Sequence, residues 1–507
     1  MLHLFNDNAF NNMLINPTKK ELEILSKDRG IVTEFDSLCF ITNVRSRSAK
    51  NTFVVDDIPL GVDQQGISRK EADKIVNQVN NYLMNKELIR LDKKMGMHSK
   101  FSFNCRLYIT KEYSRIAYMW NNSLFAPDNI NHPDIVSVYV PEWPERIILI
   151  YPEEGITYIL GTDYFGEAKK SFLRMAMYKV KKMGGLGLHA GSKVLRVKDK
   201  DGILKDVGFI MFGLSGTGKT TLTIHDHNLK GEEKAIIRQD DVIFMDINGY
   251  CAGSENGFFI KTEGLNESQT VLYKAATSPN AIFENVKVYE NGKVDFLNTE
   301  LTSNGRGIVL REEIDNTDDS IDLEKAHKLI FITRRNDIIP PVAKLTASQA
   351  ATFFMLGESI ETSAGDPTKA GQSKRCVGTN PFIIGPEAEE GHRLYRILKQ
   401  NPDMECYILN TGRVGKSNSF EGEKITIEVS TTIMREIARD TIKWEVDKDW
   451  GYLVPKSVNG LDMDKYNPRK YYTEIEYKAL VNKLKDERIE WLSRFENLDI
   501  QLVNSIA

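Results

Sequence analysis

Gly213-Leu-Ser-Gly-Thr-Gly-Lys-Thr220 is the stretch from which the rest of the chain is read. It fits G-x-x-x-x-G-K-[ST], a loop that cradles phosphates. Val207 to Phe212 before it reads as a short buried strand, and Thr220 to Thr223 after it can open a helix. Gly216 and Gly218 let such a loop curl with no Cβ in the way. Its N–H groups then turn toward an anion, and the helix N-terminus adds partial positive charge. The pattern assigns Lys219 to the β- and γ-phosphates and the Thr220 hydroxyl to Mg²⁺. The expected nucleotide-binding run is Gly213, Leu214, Ser215, Gly216, Thr217, Gly218, Lys219, Thr220 and Thr221.

The chain has 507 residues, more than one ordinary core accommodates, so two or more packed units are expected. Its 27% charged and 41% hydrophobic residues are those of a globular protein. A net charge of −4 gives no reason to expect a nucleic-acid or membrane partner. Cys39, Cys105, Cys251, Cys376 and Cys406 are scattered, odd in number and without a C-x-x-C pair. That is the usage of a reducing cytoplasm rather than of a disulfide framework or a zinc site. The opening eight residues lack a basic segment followed by an apolar one, so no leader peptide is expected, and no run reaches bilayer-spanning length.

Upstream of the loop the pattern is mixed α/β. Leu38 to Val44 and Thr52 to Val55 read as strands. Arg45-Ser-Arg-Ser-Ala-Lys50 between them reads as a solvated turn or as an anion site. Ser68-Arg-Lys-Glu71 reads as a capping box for a helix with Ala72, Ile75, Val79 and Leu83 on one face. Arg106 to Thr110 is a strand, and Ile147 to Leu160 is a strand pair broken at Pro152-Glu-Glu-Gly155. Gly161-Thr-Asp-Tyr-Phe-Gly-Glu-Ala-Lys-Lys170 leads into a helix with Phe172, Met175, Ala176 and Val180 inward, stopped at Gly184-Gly185. A lysine early in a helix opposes the macrodipole, which singles out Lys170. His189 follows in a glycine-rich apolar setting, either a core residue or a ligand.

Downstream, Asp240 and Asp241 follow an apolar run. They form a plain turn or the acid that holds a metal beside a phosphate loop. Ile243 to Lys261 reads as hairpins turning at Asn248-Gly249 and Asn256-Gly257. Glu284 to Val288 and Val294 to Phe296 read as a strand pair turned at Asn291-Gly292. Leu329 to Thr333 is a strand, and Thr346-Ala-Ser-Gln349 caps a helix. Gly365 to Gly378 reads as a mobile loop. A helix near Glu387 to Lys399, a strand at Cys406 to Leu409, and helices near Thr431 to Trp444 and Thr473 to Phe495 complete the pattern.

Together these segments resemble the ATP-dependent phosphoenolpyruvate carboxykinase family. The resemblance rests on the loop and on Arg47-Ser48-x-Lys50, Gly161-Thr-x-Tyr-x-Gly-Glu-x-Lys-Lys170, Leu188-His189, Asp240-Asp241, Glu284-Asn-Val, Pro340-Pro-Val-x-x-Leu-Thr346 and Asn410-Thr-Gly412, in family order from about Leu38 to Trp444. It implies conversion of oxaloacetate and ATP to phosphoenolpyruvate, CO₂ and ADP, in either direction. Arg47 would clamp the substrate carboxylate, and Tyr164 would pack against substrate or CO₂. Lys170, His189 and Asp241 would hold Mn²⁺, the lysine as a neutral amine. Lys219 and Thr220 would hold ATP and its Mg²⁺, and Arg306 would neutralise the phosphoryl group in transfer. A closing lid at Gly365 to Gly378 would exclude water.

The chain departs from the family at several positions. Gln239 stands where a glycine is usual, Gln269 where a glutamate is, and Lys424 where an arginine lies against the nucleotide at a late strand. Ser430 stands near the threonine that lines the base pocket, and Thr368-Lys-Ala-Gly-Gln-Ser-Lys374 replaces the usual lid sequence. The expected fold is an N-terminal substrate-binding α/β domain, residues 1–185. A phosphate-loop mononucleotide domain, 186–507, follows, with a lid portion at about 300–380 and the site in the cleft between them. Partners are small molecules alone, and the protein is a monomer or a small homo-oligomer. Two other classes fit less of the chain. A kinase of the same fold acting on a hydroxyl has no use for the Arg47 and Tyr164–Lys170 segments. A non-catalytic nucleotide-binding regulator has no use for a second metal site.

Overall fold

The computed structural model describes all residues except 1–3, 7–8, 11, 129–131, 215, 268, 362–371, 418 and 507. The chain is mixed α/β with several sheets and divides into two compact units. Unit 1 comprises Met1–Met183, Gly253–Asp315 and Phe382–Gly385, and unit 2 comprises Gly184–Ala252, Asn316–Pro381 and Pro386–Ala507. The units therefore run differently from the contiguous division at 185 expected from sequence. Residues 253–315 join the first unit because Ile282–Glu284 pairs in parallel with Leu38–Phe40. Such long-range pairing leaves no local trace.

In unit 1 an eight-stranded sheet runs in the order Met13–Ile15, Leu88–Met95, Phe103–Thr110, Ile135–Val140, Ile156–Leu160, Ile147–Tyr151, Thr52–Val55, Gly66–Ile67. The helix Phe165–Lys182 buries Phe172, Met175, Ala176 and Val180 and stops before Gly184, whose φ is +87°. The helix Arg69–Leu83 buries Val76 rather than Ile75. Its cap is half the expected box: Ser68 Oγ accepts from Glu71 N, and the Glu71 carboxylate takes the Ser68 hydroxyl instead of the backbone N–H. A five-stranded sheet carries Gly257–Lys261, Arg306–Leu310, Ile282–Glu284, Leu38–Phe40 and Gly30–Val32 in that order. Gly257–Lys261 thus pairs with Arg306–Leu310 and forms no hairpin at Asn256-Gly257.

In unit 2 another eight-stranded sheet runs Lys234–Gln239, Ala190–Lys198, Leu204–Gly213, Lys328–Thr333, Glu405–Asn410, Val342–Leu345, Leu453–Ser457, Lys443–Val446. Its centre is parallel: Leu204–Gly213 pairs with Lys328–Thr333, and that strand with Glu405–Asn410. Phe209, Met211, Ile330 and Ile332 face a core shared with Ile433 and Ile437 of the helix Ile427–Arg439. Thr346 and Gln349 form the expected reciprocal cap of the helix Ala347–Leu356. Trp444 lies on a strand, not a helix. The preceding helix ends at Arg439 because Asp440 takes a left-handed conformation (φ +56°), a stop that no glycine announces. The first half of the Gly365 to Gly378 stretch lies outside the described residues. Among the described residues, no helix is long and apolar enough to cross a membrane.

Candidate active site

In unit 2 the strand Leu204–Gly213 delivers the chain to the loop, and the helix Lys219–Ile224 leaves it. Gly216 (φ +83°) and Gly218 (φ +99°) occupy the left-handed region, where a side chain would be strained. Gly213 is needed for space, since a Cβ there would lie 2.6 Å from Thr217 Oγ1. The loop is braced from within and from outside. Thr217 Oγ1 donates to Leu214 O at 2.7 Å, Thr411 Oγ1 to Thr217 O at 2.7 Å, and Arg334 Nη1 to Gly216 O at 2.9 Å. Ser215 lies outside the described residues.

At the loop's end three predicted residues meet. Lys219 Nζ is 3.3 Å from His189 Nε2 and 3.8 Å from Asp241 Oδ1, and His189 Nε2 is 3.1 Å from Asp241 Oδ1. His189 Nδ1 lies 2.7 Å from Thr379 O. A carbonyl can only accept, so Nδ1 carries a proton, and Nε2 is left facing Asp241 Oδ1 and Lys219 Nζ. Imidazole and carboxylate thus meet beside Lys219, two donors of the kind a divalent cation takes, though among the described residues no group of three or more His, Cys, Asp or Glu gathers to hold one. The carbonyl behind the ring fixes the tautomer, as outer-shell partners of metal-bound histidines do. Thr379 itself has φ +51°, a strained setting for a β-branched residue, and its carbonyl is thereby aimed at His189. Beside this group Thr220 Oγ1 donates to Asp240 Oδ2 at 3.2 Å, a hydroxyl and carboxylate pair that suits Mg²⁺.

In unit 1 a second group forms around the Phe382 ring. Arg47 Cζ lies 4.2 Å from its centroid, Lys170 Nζ 4.9 Å and Arg174 Cζ 5.6 Å. Arg174 is buried. Its guanidinium is lowered to about 10, first by burial and then by the charge of Arg47, against the opposing pull of Glu167. Arg47 is set by its neighbour Ser48, whose N–H donates to Glu167 and whose Oγ accepts from Arg146 Nε at 2.7 Å. Two guanidiniums and an amine around one ring make a receptive site for a carboxylate.

Tyr164 and Arg306 also come together in unit 1. Asn304 Nδ2 donates to the Tyr164 hydroxyl at 3.2 Å, and Arg306 Nη2 donates to Asn304 Oδ1 at 2.7 Å. The Tyr164 ring fills the space beside Gly166, where a Cβ would lie 2.3 Å from Tyr164 Cε1. Burial pushes this phenol up, so it is neutral. Nearby, Glu284 is fully buried. Its Oε1 accepts from Phe165 N at 2.8 Å and lies 3.6 Å from Arg115 Nη1. Burial outweighs that arginine and pushes the carboxyl up to about 7.

Of the two positions assigned to the base pocket, Lys424 does lie on a strand, but the strand ends there instead of running on through Ile427. Lys424 is exposed in the two-residue strand Glu423–Lys424, and Thr426 then caps a helix. Ser430 is buried on that helix, and its hydroxyl donates to Thr426 O at 3.2 Å. Sequence reasoning missed Arg174, Phe382 and Asn304. Arg174 stands four residues after Lys170, one helical turn along the same face, and that spacing could have found it. Phe382 and Asn304 carry no local signal.

A braced glycine-rich loop with an imidazole–carboxylate pair beside it suits an α/β protein that handles an anion. The family model described as "Phosphoenolpyruvate carboxykinase" matches residues 11–464. The phosphoenolpyruvate carboxykinase (ATP) of Aeropyrum pernix is 34% identical over 424 residues, covering 83% of each chain. That of Brucella anthropi is 25% identical over 484 residues, 89% of this chain and 85% of its own. That of Shouchella clausii is 26% identical over 502 residues, 93% and 91%. The chain belongs to the ATP-dependent phosphoenolpyruvate carboxykinase family.

Proposed function

We propose that the chain is an ATP-dependent carboxy-lyase that converts oxaloacetate and ATP to phosphoenolpyruvate, CO₂ and ADP, or runs the reverse reaction. The observation that carries this reading is the meeting of Lys219, His189 and Asp241 beside the glycine-rich loop, in a chain of this family. A simple nucleotide binder needs the loop and its lysine. The imidazole and the second acid suit a reaction with a further cation.

Unit 2 is read as the nucleotide-binding domain. Its loop N–H groups, from Gly213 through Thr221, and Lys219 hold the β- and γ-phosphates, and Thr220 and Asp240 would hold Mg²⁺. His189 and Asp241 would hold Mn²⁺, and the reading keeps Lys170 as an amine ligand. When bound, these cations supply positive charge for the enolate and phosphoryl oxygens. Arg47 takes the substrate carboxylate with its planar fork, with Arg174 adding charge behind it. The Tyr164 hydroxyl is engaged by Asn304, so Tyr164 offers its ring to the substrate. Loss of CO₂ breaks a carbon–carbon bond and leaves the electron pair in an enolate. The enolate oxygen attacks the γ-phosphorus, the bond to the bridging oxygen breaks, and ADP leaves. Lys219 and Arg306 balance charge on the phosphoryl oxygens during transfer. Five free cysteines, four of them buried, support a reducing cytoplasmic setting.

The test is direct. Protein is mixed with oxaloacetate, Mn²⁺, Mg²⁺ and one of ATP, GTP or pyrophosphate, and phosphoenolpyruvate is followed. Product with ATP alone is expected. Product with none of the donors sinks the reading, and product with GTP reassigns the base pocket around Lys424 and Ser430.

A further inference from the structure

Behind the phosphate loop lies a buried lysine that the proposed chemistry does not use. Lys193 sits on the strand Ala190–Lys198 and is fully buried. Gly191 and Lys193 are two apart, so they face the same way. A Cβ on Gly191 would lie 2.3 Å from Thr223 Oγ1, which shows how closely this strand approaches the helix Lys219–Ile224. Two residues on, Lys193 reaches under the C-terminal end of that helix. Its Nζ donates to Leu222 O and meets His227 Nε2, both at close range, and donates to His225 O at 3.2 Å. Burial lowers the Lys193 amine well below its ordinary value, and three acceptors gathered around Nζ are what hold its protons in place there. Two of them are carbonyls at the helix's last turn, where the macrodipole is negative.

His227 completes the arrangement. It is fully buried, and its Nδ1 lies 3.1 Å from Thr431 O on the helix Ile427–Arg439. Nδ1 therefore carries the proton and Nε2 offers its lone pair to Lys193. Burial and the charge of Lys193 both press this imidazole down, in keeping with the neutral ring. The backbone is strained here: His227 has φ +59° and Asn228 φ +55°, consecutive left-handed residues without a glycine. Arg435 Nη1, on the same helix, donates to His227 O at 3.3 Å and pins the turn a second time. Non-glycine residues persist in such a conformation where the surroundings over-determine them.

We infer that Lys193 and His227 are a positioning pair that clamps the rear of the phosphate-loop helix and ties it to the helix Ile427–Arg439, holding the loop in its nucleotide-binding shape. Neither residue touches the nucleotide, and the inference rests on the nucleotide reading above. The pair joins the element that grips the phosphates to the helix that carries Ser430.

The test uses full-length protein and Mg-ADP, with affinity read by calorimetry and amide exchange read by mass spectrometry. Lys193→Met leaves three acceptors without their donor and is expected to weaken Mg-ADP about tenfold. His227→Asn keeps a residue that tolerates the left-handed backbone but shortens the link. It is expected to weaken Mg-ADP about threefold and to speed exchange at residues 219–224, with exchange at residues 147–151 of unit 1 unchanged. Should Lys193→Met fail to fold, His227→Asn carries the test alone. Variants that melt earlier yet bind Mg-ADP as the wild type does would overturn the inference by leaving the pair a purely structural role. A wild-type protein that binds no Mg-ADP would overturn the nucleotide reading and the inference with it.

Discussion

The glycine-rich loop of unit 2 and the cluster around Phe382 in unit 1 both gather positive charge, by opposite means. The loop relies on backbone N–H groups and one lysine, and that lysine already has Asp241 at 3.8 Å. Its partial charges repel one another weakly and can be satisfied by water, so the shape holds with or without an anion. The cluster sets the guanidiniums of Arg47 and Arg174 and the Lys170 amine, from two separate segments, around a ring from a third, and burial adds to the repulsion, as the lowered guanidinium of Arg174 records. A backbone site is stable while empty. A side-chain cluster stores repulsion until an anion arrives, so substitutions within it should trade binding for stability.

The sharpest way to break that contrast is to remove the loop's one full charge. Lys219→Met is expected to lower the rate of phosphoenolpyruvate formation about 10³-fold, the scale of losing a charge-stabilising donor in a transition state. The loop's braces, Thr411 to Thr217 and Arg334 to Gly216, do not involve the lysine, so the melting temperature should change little. A rate within tenfold of wild type would show that the backbone alone handles the γ-phosphate.

Glu284 offers the next largest effect, because unit 1 also holds a carboxyl that burial keeps from ionising. Its folded value of about 7 lies above the ordinary 4.5. Between those two values the native state keeps a proton that the unfolded chain has released. Stability from this group is therefore complete below about pH 4.5, falls as the pH rises toward 7, and is then lost, on the order of 3 kcal/mol. Glu284→Gln keeps an acceptor for Phe165 N and cannot ionise. It should match the wild type in thermal melts at pH 5 and exceed it at pH 8. A variant less stable than wild type at pH 8 would mean that Arg115 holds the carboxylate ionised.

Both regions show what can be read from sequence and what cannot. The strand before the loop, the helix after it and the cap at Thr346–Gln349 are local, and the structure carries all three. His189 and Asp241 are far apart in sequence, and the resemblance alone links them, together with Lys170; the structure brings those two side chains to 3.1 Å and sets Lys219 beside them. Arg174, Phe382 and Asn304 owe their place to tertiary packing, and only Arg174 has a spacing that hints at it. The assignment of residues 253–315 to unit 1 depends on strand pairing across more than two hundred residues, which periodicity does not encode. The helix end at Arg439 was hidden because an aspartate occupies the position a glycine usually marks.

Arg47→Gln tests the trade between binding and stability. It keeps a polar side chain of similar length and removes one of the two guanidiniums. The expected loss is about a hundredfold in kcat/KM for oxaloacetate, with Mg-ADP affinity unchanged. Relief of repulsion on Arg174 should leave the melting temperature no lower than wild type. A clear drop in melting temperature would mean that Arg47 holds the cluster together through its contact with Phe382 more than it strains it.

The smallest effect should come from Lys424, the cation that the resemblance places against the nucleotide and that stands exposed on a two-residue strand paired with Arg413–Val414. An exposed ammonium attracts a phosphate through water and is screened by salt. Lys424→Ala should thus weaken Mg-ADP about threefold at low ionic strength, and by less at about 0.5 M salt, where the screening length is only a few ångströms. Lys219→Met should weaken it at both, because Lys219 is largely buried beside the loop. A loss at Lys424 that exceeds about thirtyfold and survives high salt cannot come from a solvated charge. It would require the lysine to leave solvent and close on the nucleotide, making this edge of unit 2, like the cluster in unit 1, a place where side chains and not backbone decide which anion is held.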